Sequence, residues 1–96
     1  WEYDKLWIIL GVVKDKSLDD VLQFLPVKAN YLFTQSKVPR ALPANELALI
    51  AEEKGLRGQV ISDVNQALNL AQSKASKSDL IIICGSTFVV AEIEDL

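Results

Sequence analysis

The stretch DLIIICGSTFVVAE, residues 79–92, decides the fold of this chain. Its apolar run Leu80–Cys84 contains three consecutive isoleucines, which is typical of a strand buried on both faces of a parallel sheet. Gly85 ends the run, and the side chains of Ser86 and Thr87 are of the kind that cap helices. The stretch therefore predicts a strand, a tight turn and the N-terminus of a helix.

A helix N-terminus in this place has a chemical consequence. Its free backbone N–H groups and the positive end of the helix dipole favour a phosphate or a carboxylate. Ser86 and Thr87 add two hydroxyl groups there. An ordinary strand-to-helix turn without a ligand is the alternative, so the rest of the chain has to distinguish the two.

Three further apolar segments alternate with helical patterns upstream. The predicted strands are Lys5–Val12, Tyr31–Thr34 and Gln59–Ile61. The predicted helices begin at Ser17, at Pro43 and at Ser62 or Asp63, and the last two have their buried faces at Leu47, Ile50 and Ala51 and at Val64, Ala67, Leu68 and Ala71. Gly55 suits the position after the second helix. The order βαβαβαβα predicts an α/β, Rossmann-like three-layer αβα domain with a mainly parallel sheet and right-handed crossovers.

Composition excludes several classes of protein. The chain has 96 residues, which suits one domain, and its net charge of −3 argues against a nucleic acid or an anionic membrane as partner. No apolar run approaches the roughly 20 residues that span a bilayer. With one cysteine and no histidine, a disulfide framework and Ser-His or Cys-His pairs are excluded, and no metal site is expected. Cys84, inside the apolar run, predicts a reducing compartment and hence the cytoplasm.

The loops that follow the strands carry most of the candidate binding residues. Ligands of open parallel sheets bind beyond the carboxyl ends of the strands. The charged residues predicted at that edge are Lys14, Lys16, Lys37 and Arg40, against Asp15 and Asp63. The edge is therefore positive although the chain is acidic, which favours an anionic ligand. Solvated loop lysines are the alternative interpretation.

Three segments together resemble the C-terminal domain of the folylpolyglutamate synthases. They are LGVVKDKS at 10–17, TQSKVPRAL at 34–42 and CGSTFVVAE at 84–92, and they occur in the family's order over nearly the whole chain. These enzymes are often also dihydrofolate synthases, and they belong to the Mur ligase superfamily.

The resemblance implies an ATP-dependent ligase that adds L-glutamate to folate or pteroate. A substrate carboxylate is phosphorylated, and the amine of glutamate attacks the acyl phosphate, which releases ADP and phosphate. ATP and Mg²⁺ would be held largely by an N-terminal ATPase domain of the same chain, over which the C-terminal domain closes to exclude water. The fragment alone would bind no cofactor and catalyse no reaction.

The resemblance also assigns residues, none of them catalytic. Lys14 or Lys16 would lie near the carboxylates of the incoming glutamate, and sequence leaves open which of the two. Ser86, with Thr87 beside it, would bind one of those carboxylates. Arg40 would contact a ligand or the N-terminal domain.

Asp15, which lies between the two lysines, is assigned the same role as Arg40, a contact with the ligand or with the N-terminal domain. One departure from the family is the missing D-x-A-H-N motif, which precedes the strand corresponding to Lys5–Val12. Together with the lack of methionine, it predicts that residues 1–96 are a partial C-terminal domain of a two-domain Mur-type ligase, lacking its first strand and helix. The alternative is a stand-alone Rossmann-like module that binds a small anionic ligand.

Overall fold

The computed structural model describes residues 5–13, 22–37, 39 and 41–85. These contain the strands β1 (Leu6–Gly11), β2 (Asn30–Phe33), β3 (Gly58–Val60) and β4 (Leu80–Gly85), and the helices α1 (Ala44–Glu53) and α2 (Val64–Lys74). The helix predicted from Ser17 lies outside the described residues apart from its last turn, where Leu22 is buried. The helix predicted after Gly85 lies outside them entirely.

The four strands form one parallel sheet in the order β3-β2-β1-β4. β1 pairs with β4 over its whole length, from Leu6 opposite Leu80 to Gly11 opposite Gly85, and with β2 on its other side. The helices α1 and α2 each connect strands of this sheet, as parallel pairing requires. The predicted α/β fold is therefore confirmed.

The core lies on both faces of the sheet, because successive side chains of a strand point to opposite faces. Ile8 and Leu10 of β1 pack with Tyr31, Phe33 and the α1 face on one side. The other face holds Trp7, Ile9 and Leu32, packed against Val64, Ala67, Leu68 and Ala71 of α2. Both buried helix faces match the predicted spacing, although Ile50 is only partly buried.

The strand β4 differs from its prediction in burial. Its apolar run predicts a strand covered on both faces, yet the Ile82 side chain is 39% exposed, and Ile81 and Ile83 are only partly buried. The reason is position, because β4 is an outer strand of the described sheet and β1 is its one described neighbour. The continuously buried strand is β1 instead.

The ends of the helices follow local chemistry. Asp63 accepts a hydrogen bond from the backbone N–H of Gln66 at 3.0 Å, which decides between the two predicted caps of α2. The helix α1 begins one residue later than predicted, at Ala44, and Pro43 is its N-cap residue. Gly55 follows α1 with φ +83°, a conformation that favours glycine, so the predicted end of this helix is confirmed.

Candidate functional site

The loop after β2 is tied to both neighbouring strands at the carboxyl edge of the sheet. The backbone N–H of Thr34 donates to the carbonyl of Leu10 at 2.8 Å, and the buried Thr34 hydroxyl donates to the same oxygen at 3.3 Å. The N–H of Gln35 donates to the carbonyl of Ser62 at 3.2 Å. These bonds hold three strand ends in a fixed arrangement.

Gln35 also fixes the start of α1. Its side-chain Oε1 accepts a hydrogen bond of 2.8 Å from the backbone N–H of Ala44. Pro43 makes no side-chain capping bond, and Ala44 is fully buried, so this N–H would otherwise lack a capping partner. Sequence reasoning missed Gln35, because this capping residue lies nine positions before Ala44, whose N–H it accepts.

A backbone bridge joins the loop after β1 to the segment before α1. Val13 and Ala41 pair in antiparallel fashion, and the N–H of Leu42 donates to the carbonyl of Val12 at 2.9 Å. The segment 41–42 therefore returns to the carboxyl end of β1, the strand end at which the candidate glutamate site was predicted.

A polar cavity of about 240 Å³ opens between the loops that follow β2 and β3. Its lining residues are Gln35, Ser36, Lys37, Ser62 and Asp63, all of them polar or charged. Ser36 is 3% exposed, and within the described part of the chain its hydroxyl has no hydrogen-bond partner. Buried polar groups in folded proteins are nearly always paired, so this hydroxyl requires an explanation.

The predicted site residues divide into two groups. Lys14, Asp15, Lys16, Arg40, Ser86 and Thr87 lie outside the described residues. Lys37 and Asp63 are described, and the structure brings them to the same cavity. Ser36 lies in the same loop as Lys37, and its burial was not anticipated, because a serine in a polar loop carries no burial signal.

A larger cavity of about 390 Å³ lies between α1 and the start of β3. It is lined by Phe33, Ala48, Glu52, Leu56, Arg57 and Gly58. Two of these residues belong to α1, and three lie just before β3 or begin it, at its amino end. Parallel sheets bind ligands at the carboxyl ends of their strands instead. We therefore favour the smaller cavity as the functional one.

Asp79 forms a polar cluster at the opposite, amino edge. Its carboxylate accepts hydrogen bonds from the Ser76 N–H at 3.0 Å, the Trp7 indole at 3.1 Å and the Lys5 N–H at 3.2 Å. These bonds, the Ser76 N–H first, hold the pKa of Asp79 below its ordinary value of 3.8. The cluster fastens the start of β4 to the start of β1, so its role is structural.

Two classes of feature are missing from the described ranges. Residues 5–13, 22–37, 39 and 41–85 contain no group of three His, Cys, Asp or Glu side chains that could hold a metal ion. Within the same ranges, neither helix has the length and apolar character needed to cross a bilayer.

Comparison with known proteins places the chain in a family. A family model described as the glutamate ligase domain of Mur ligases matches residues 1–87. A probable bifunctional folylpolyglutamate synthase/dihydropteroate synthase of Halobacterium salinarum is 30% identical over 93 residues, which are 96% of this chain and 11% of that protein. The chain thus spans about a ninth of this relative's length.

Solved structures agree with the sequence match. A folylpolyglutamate synthase/dihydrofolate synthase of Yersinia pestis, with Mn, AMPPNP and L-glutamate bound, superposes with a TM-score of 0.77 at 28% identity, over 91% of this chain and 21% of that one. A Mycobacterium tuberculosis folylpolyglutamate synthase complexed with ADP and AMPPCP gives 0.77 at 26% identity, over 96% and 23%. Both are ligand complexes of much longer chains. The resemblance to the C-terminal domain of folylpolyglutamate synthases is confirmed, and the chain belongs to the glutamate ligase domain family of the Mur ligases.

Proposed function

We propose that this chain is the glutamate-binding part of an ATP-dependent ligase that adds L-glutamate to folate or pteroate. The family and the similar proteins support a ligase of this kind. The chain covers about a fifth of the structurally similar enzymes, so ATP and Mg²⁺ are assigned to the N-terminal ATPase domain of the same protein. A cytoplasmic location and the lack of nucleic-acid or membrane partners remain predictions.

The observation that carries this proposal is the register of β1 and β4. Gly11 pairs with Gly85, so the two strands end side by side. Ser86 directly follows Gly85, and Lys14 and Lys16 follow Gly11 within five residues. Because neighbouring strands are about 4.8 Å apart, this register supports a carboxylate site between a lysine from one loop and a hydroxyl from the other.

The backbone bridge extends the same argument to a third loop. Ala41, which pairs with Val13, directly follows Arg40, and Val13 directly precedes Lys14 and Asp15. The pairing supports a position for Arg40 next to the loop after β1, where it would contact the ligand or the N-terminal domain. If Arg40 contacts the ligand, it would join a lysine and the Ser86 hydroxyl around one anion.

The chemistry of the proposed reaction is acyl transfer through a phosphorylated carboxylate. The substrate carboxylate takes the γ-phosphoryl group of ATP, and ADP leaves. The amine of glutamate then attacks the acyl carbon, loses a proton and forms an amide as phosphate leaves. In this reaction, residues of the present chain orient glutamate and neutralise its carboxylates, while domain closure keeps water from the acyl phosphate.

The experiment uses the full-length ligase and measures the KM for glutamate. Ser86→Ala removes a hydrogen bond to a carboxylate, which is worth roughly 1.5–3 kcal/mol, so the KM is expected to rise about 10- to 150-fold. Lys16→Ala and Lys14→Ala, compared directly, identify the lysine that contacts glutamate.

Ser73→Ala is the matched control for the serine substitution. Ser73 is exposed near the C-terminal end of α2. Its hydroxyl donates to the carbonyl of Leu70 in the same helix at 2.8 Å. An unchanged KM for glutamate in the Ser86→Ala enzyme would exclude this serine from the site.

A further inference from the structure

We propose that Gln35 is a positioning residue for glutamate binding, because its side chain fixes the loop that runs from the end of β2 to the start of α1. The inference rests on the proposed ligase function, and it gives Gln35 no contact with substrate. Its role is to hold the segment 41–42 against the end of β1, the strand that leads into Lys14 and Lys16.

The backbone around Gln35 is anchored on both sides. The N–H of Gln35 donates to the carbonyl of Ser62 at 3.2 Å, which ties it to the segment after β3. The N–H of the preceding residue, Thr34, donates to the carbonyl of Leu10 in β1 at 2.8 Å. The Gln35 side chain therefore extends from a backbone that has little freedom to move.

The side chain of Gln35 closes the loop at its other end. Its Oε1 accepts a hydrogen bond of 2.8 Å from the N–H of Ala44, nine residues further along the chain. Ala44 is the first residue of α1 and is fully buried, so water does not readily replace this acceptor when it is removed. One side-chain bond thus sets the position of the start of α1 relative to the end of β2.

The segment just before α1 meets the end of β1. Ala41 pairs with Val13, and the N–H of Leu42 donates to the carbonyl of Val12 at 2.9 Å. Val12, Val13 and Ala41 are all buried, so this contact belongs to the packed interior. Only two residues separate Ala41 from Ala44, and so short a connection does not absorb a shift of the helix start. A shift of Ala44 therefore disturbs the pairing with β1.

This pairing connects Gln35 to the proposed glutamate site. Val13 directly precedes Lys14, and Ala41 directly follows Arg40. Displacing a binding group by about 1 Å can cost an enzyme up to about 100-fold in rate, even when the substituted residue lies away from the substrate. Loss of the Gln35 bond is therefore expected to weaken the binding of glutamate. ATP is assigned to the N-terminal domain, so its binding should not change.

The kinetic test uses the full-length ligase. Gln35→Ala is expected to raise the KM for glutamate about 5- to 20-fold and to leave the KM for ATP at the wild-type value. Tyr31→Phe is the matched control, because it also removes one side-chain hydrogen bond, from the Tyr31 hydroxyl to the carbonyl of Pro26, but near the amino end of β2. It is expected to leave both KM values unchanged. An unchanged KM for glutamate in Gln35→Ala, or an equal rise in both KM values, would overturn the inference.

Hydrogen exchange of two amides separates positioning from helix stability. The N–H of Leu42 reports the pairing with β1, and the N–H of Leu47, which donates to the carbonyl of Pro43 at 3.0 Å, reports the first turn of α1. Gln35→Ala is expected to lower the protection of both amides. Gln35→Glu keeps the acceptor and is expected to preserve the protection of both.

A second substitution restores the helix without restoring the Gln35 bond. Pro43→Ser places a serine at the N-cap of α1, three residues before Glu46, which is the spacing of a capping box. In Gln35→Ala/Pro43→Ser, the protection of Leu47 is expected to recover, whereas the protection of Leu42 and the KM for glutamate stay as in Gln35→Ala. Pro43→Ser alone is expected to keep the wild-type KM. Recovery of the KM together with Leu47 would show that Gln35 only stabilises the helix.

The failure of this inference is distinguishable from the failure of the proposed function. If the wild-type protein forms no product, the ligase function fails, and the role of Gln35 in glutamate binding fails with it. If the ligase is active but the KM for glutamate does not respond to Gln35→Ala, only the inference fails. Hydrogen exchange needs no substrate, so unchanged protection of Leu42 in Gln35→Ala refutes the positioning role whether or not the protein is a ligase.

Discussion

Gly58 is the position at which a single methyl group should disturb the candidate site most. It begins β3 opposite Tyr31 of β2. A Cβ added to Gly58 would lie 2.5 Å from the carbonyl carbon of Tyr31 and 2.7 Å from its Cβ, and closer still to its carbonyl oxygen. Two of these atoms belong to the backbone of Tyr31, and its Cβ is fixed directly to that backbone. No side-chain rotation therefore relieves the contact.

The magnitude follows from the displacement that Gly58→Ala requires. Carbon atoms in ordinary contact are about 3.5 Å apart, so β3 would have to move by about 1 Å. Three backbone hydrogen bonds would then exceed hydrogen-bond length. They join Tyr31 N to Arg57 O, Ile61 N to Phe33 O and Gln35 N to Ser62 O, and they now measure 3.3, 3.0 and 3.2 Å. At about 0.5–1.5 kcal/mol each, their loss lowers the free energy of unfolding by roughly 2–4 kcal/mol.

The assay is urea unfolding of this chain, with Gly55→Ala as the control. An added Cβ at Gly55 meets only Val27 Cγ1, at 3.9 Å, so its cost comes from the φ of +83° and is about 1–2 kcal/mol. Because β3 leads into Ser62 and Asp63, Gly58→Ala should also lower the hydrogen-exchange protection of Ile61. A Gly58→Ala cost equal to or below that of Gly55→Ala would refute the close-approach argument.

The other predictions concern hydrogen bonds of single side chains. Gln35→Ala leaves the buried N–H of Ala44 without its acceptor and should cost about 1–2 kcal/mol in urea unfolding, whereas Gln35→Glu, which keeps the acceptor, should cost less. Asp63→Ala should cost about 1 kcal/mol through the lost cap of α2, and an effect as large in Asp63→Asn would argue against capping as the cause. Asp79 has a lowered pKa, so its carboxylate stabilises the fold fully above pH 3.8 and progressively less as the pH falls through the lower pKa of the folded state. The difference in unfolding free energy between wild type and Asp79→Asn should therefore be largest near pH 7 and shrink below pH 3.8, and a difference independent of pH would contradict this.

Local patterns in the sequence were sufficient to predict much of the fold. Apolar runs located the four strands to within a residue or two, and helical spacing located the buried faces of α1 and α2. The cap at Asp63 and the turn at Gly55 were also predictable, since each depends on residues close in sequence. The parallel sheet follows from the alternation of strands and helices.

The features that could not be predicted depend on contacts between distant segments. The close approach at Gly58 arises from the register with β2, and the cap supplied by Gln35 from the path of the intervening loop. The outer position of β4 is a matter of strand order, which an apolar run does not encode. For the candidate site, Lys37 and Asp63 were placed on the correct edge, but the burial of Ser36 depends on packing between two loops.

The most direct test of the proposed function is the reaction of the full-length protein that contains this chain. ADP release and amide formation are measured with ATP, Mg²⁺, L-glutamate and folate or pteroate, each omitted in turn. We expect product only when all are present, a KM for glutamate that rises in Ser86→Ala, and no product from residues 1–96 alone. ADP release that does not depend on glutamate, or tight binding of a small anion by residues 1–96 alone without any ligase activity of the full protein, would contradict the proposal and support a stand-alone anion-binding module instead.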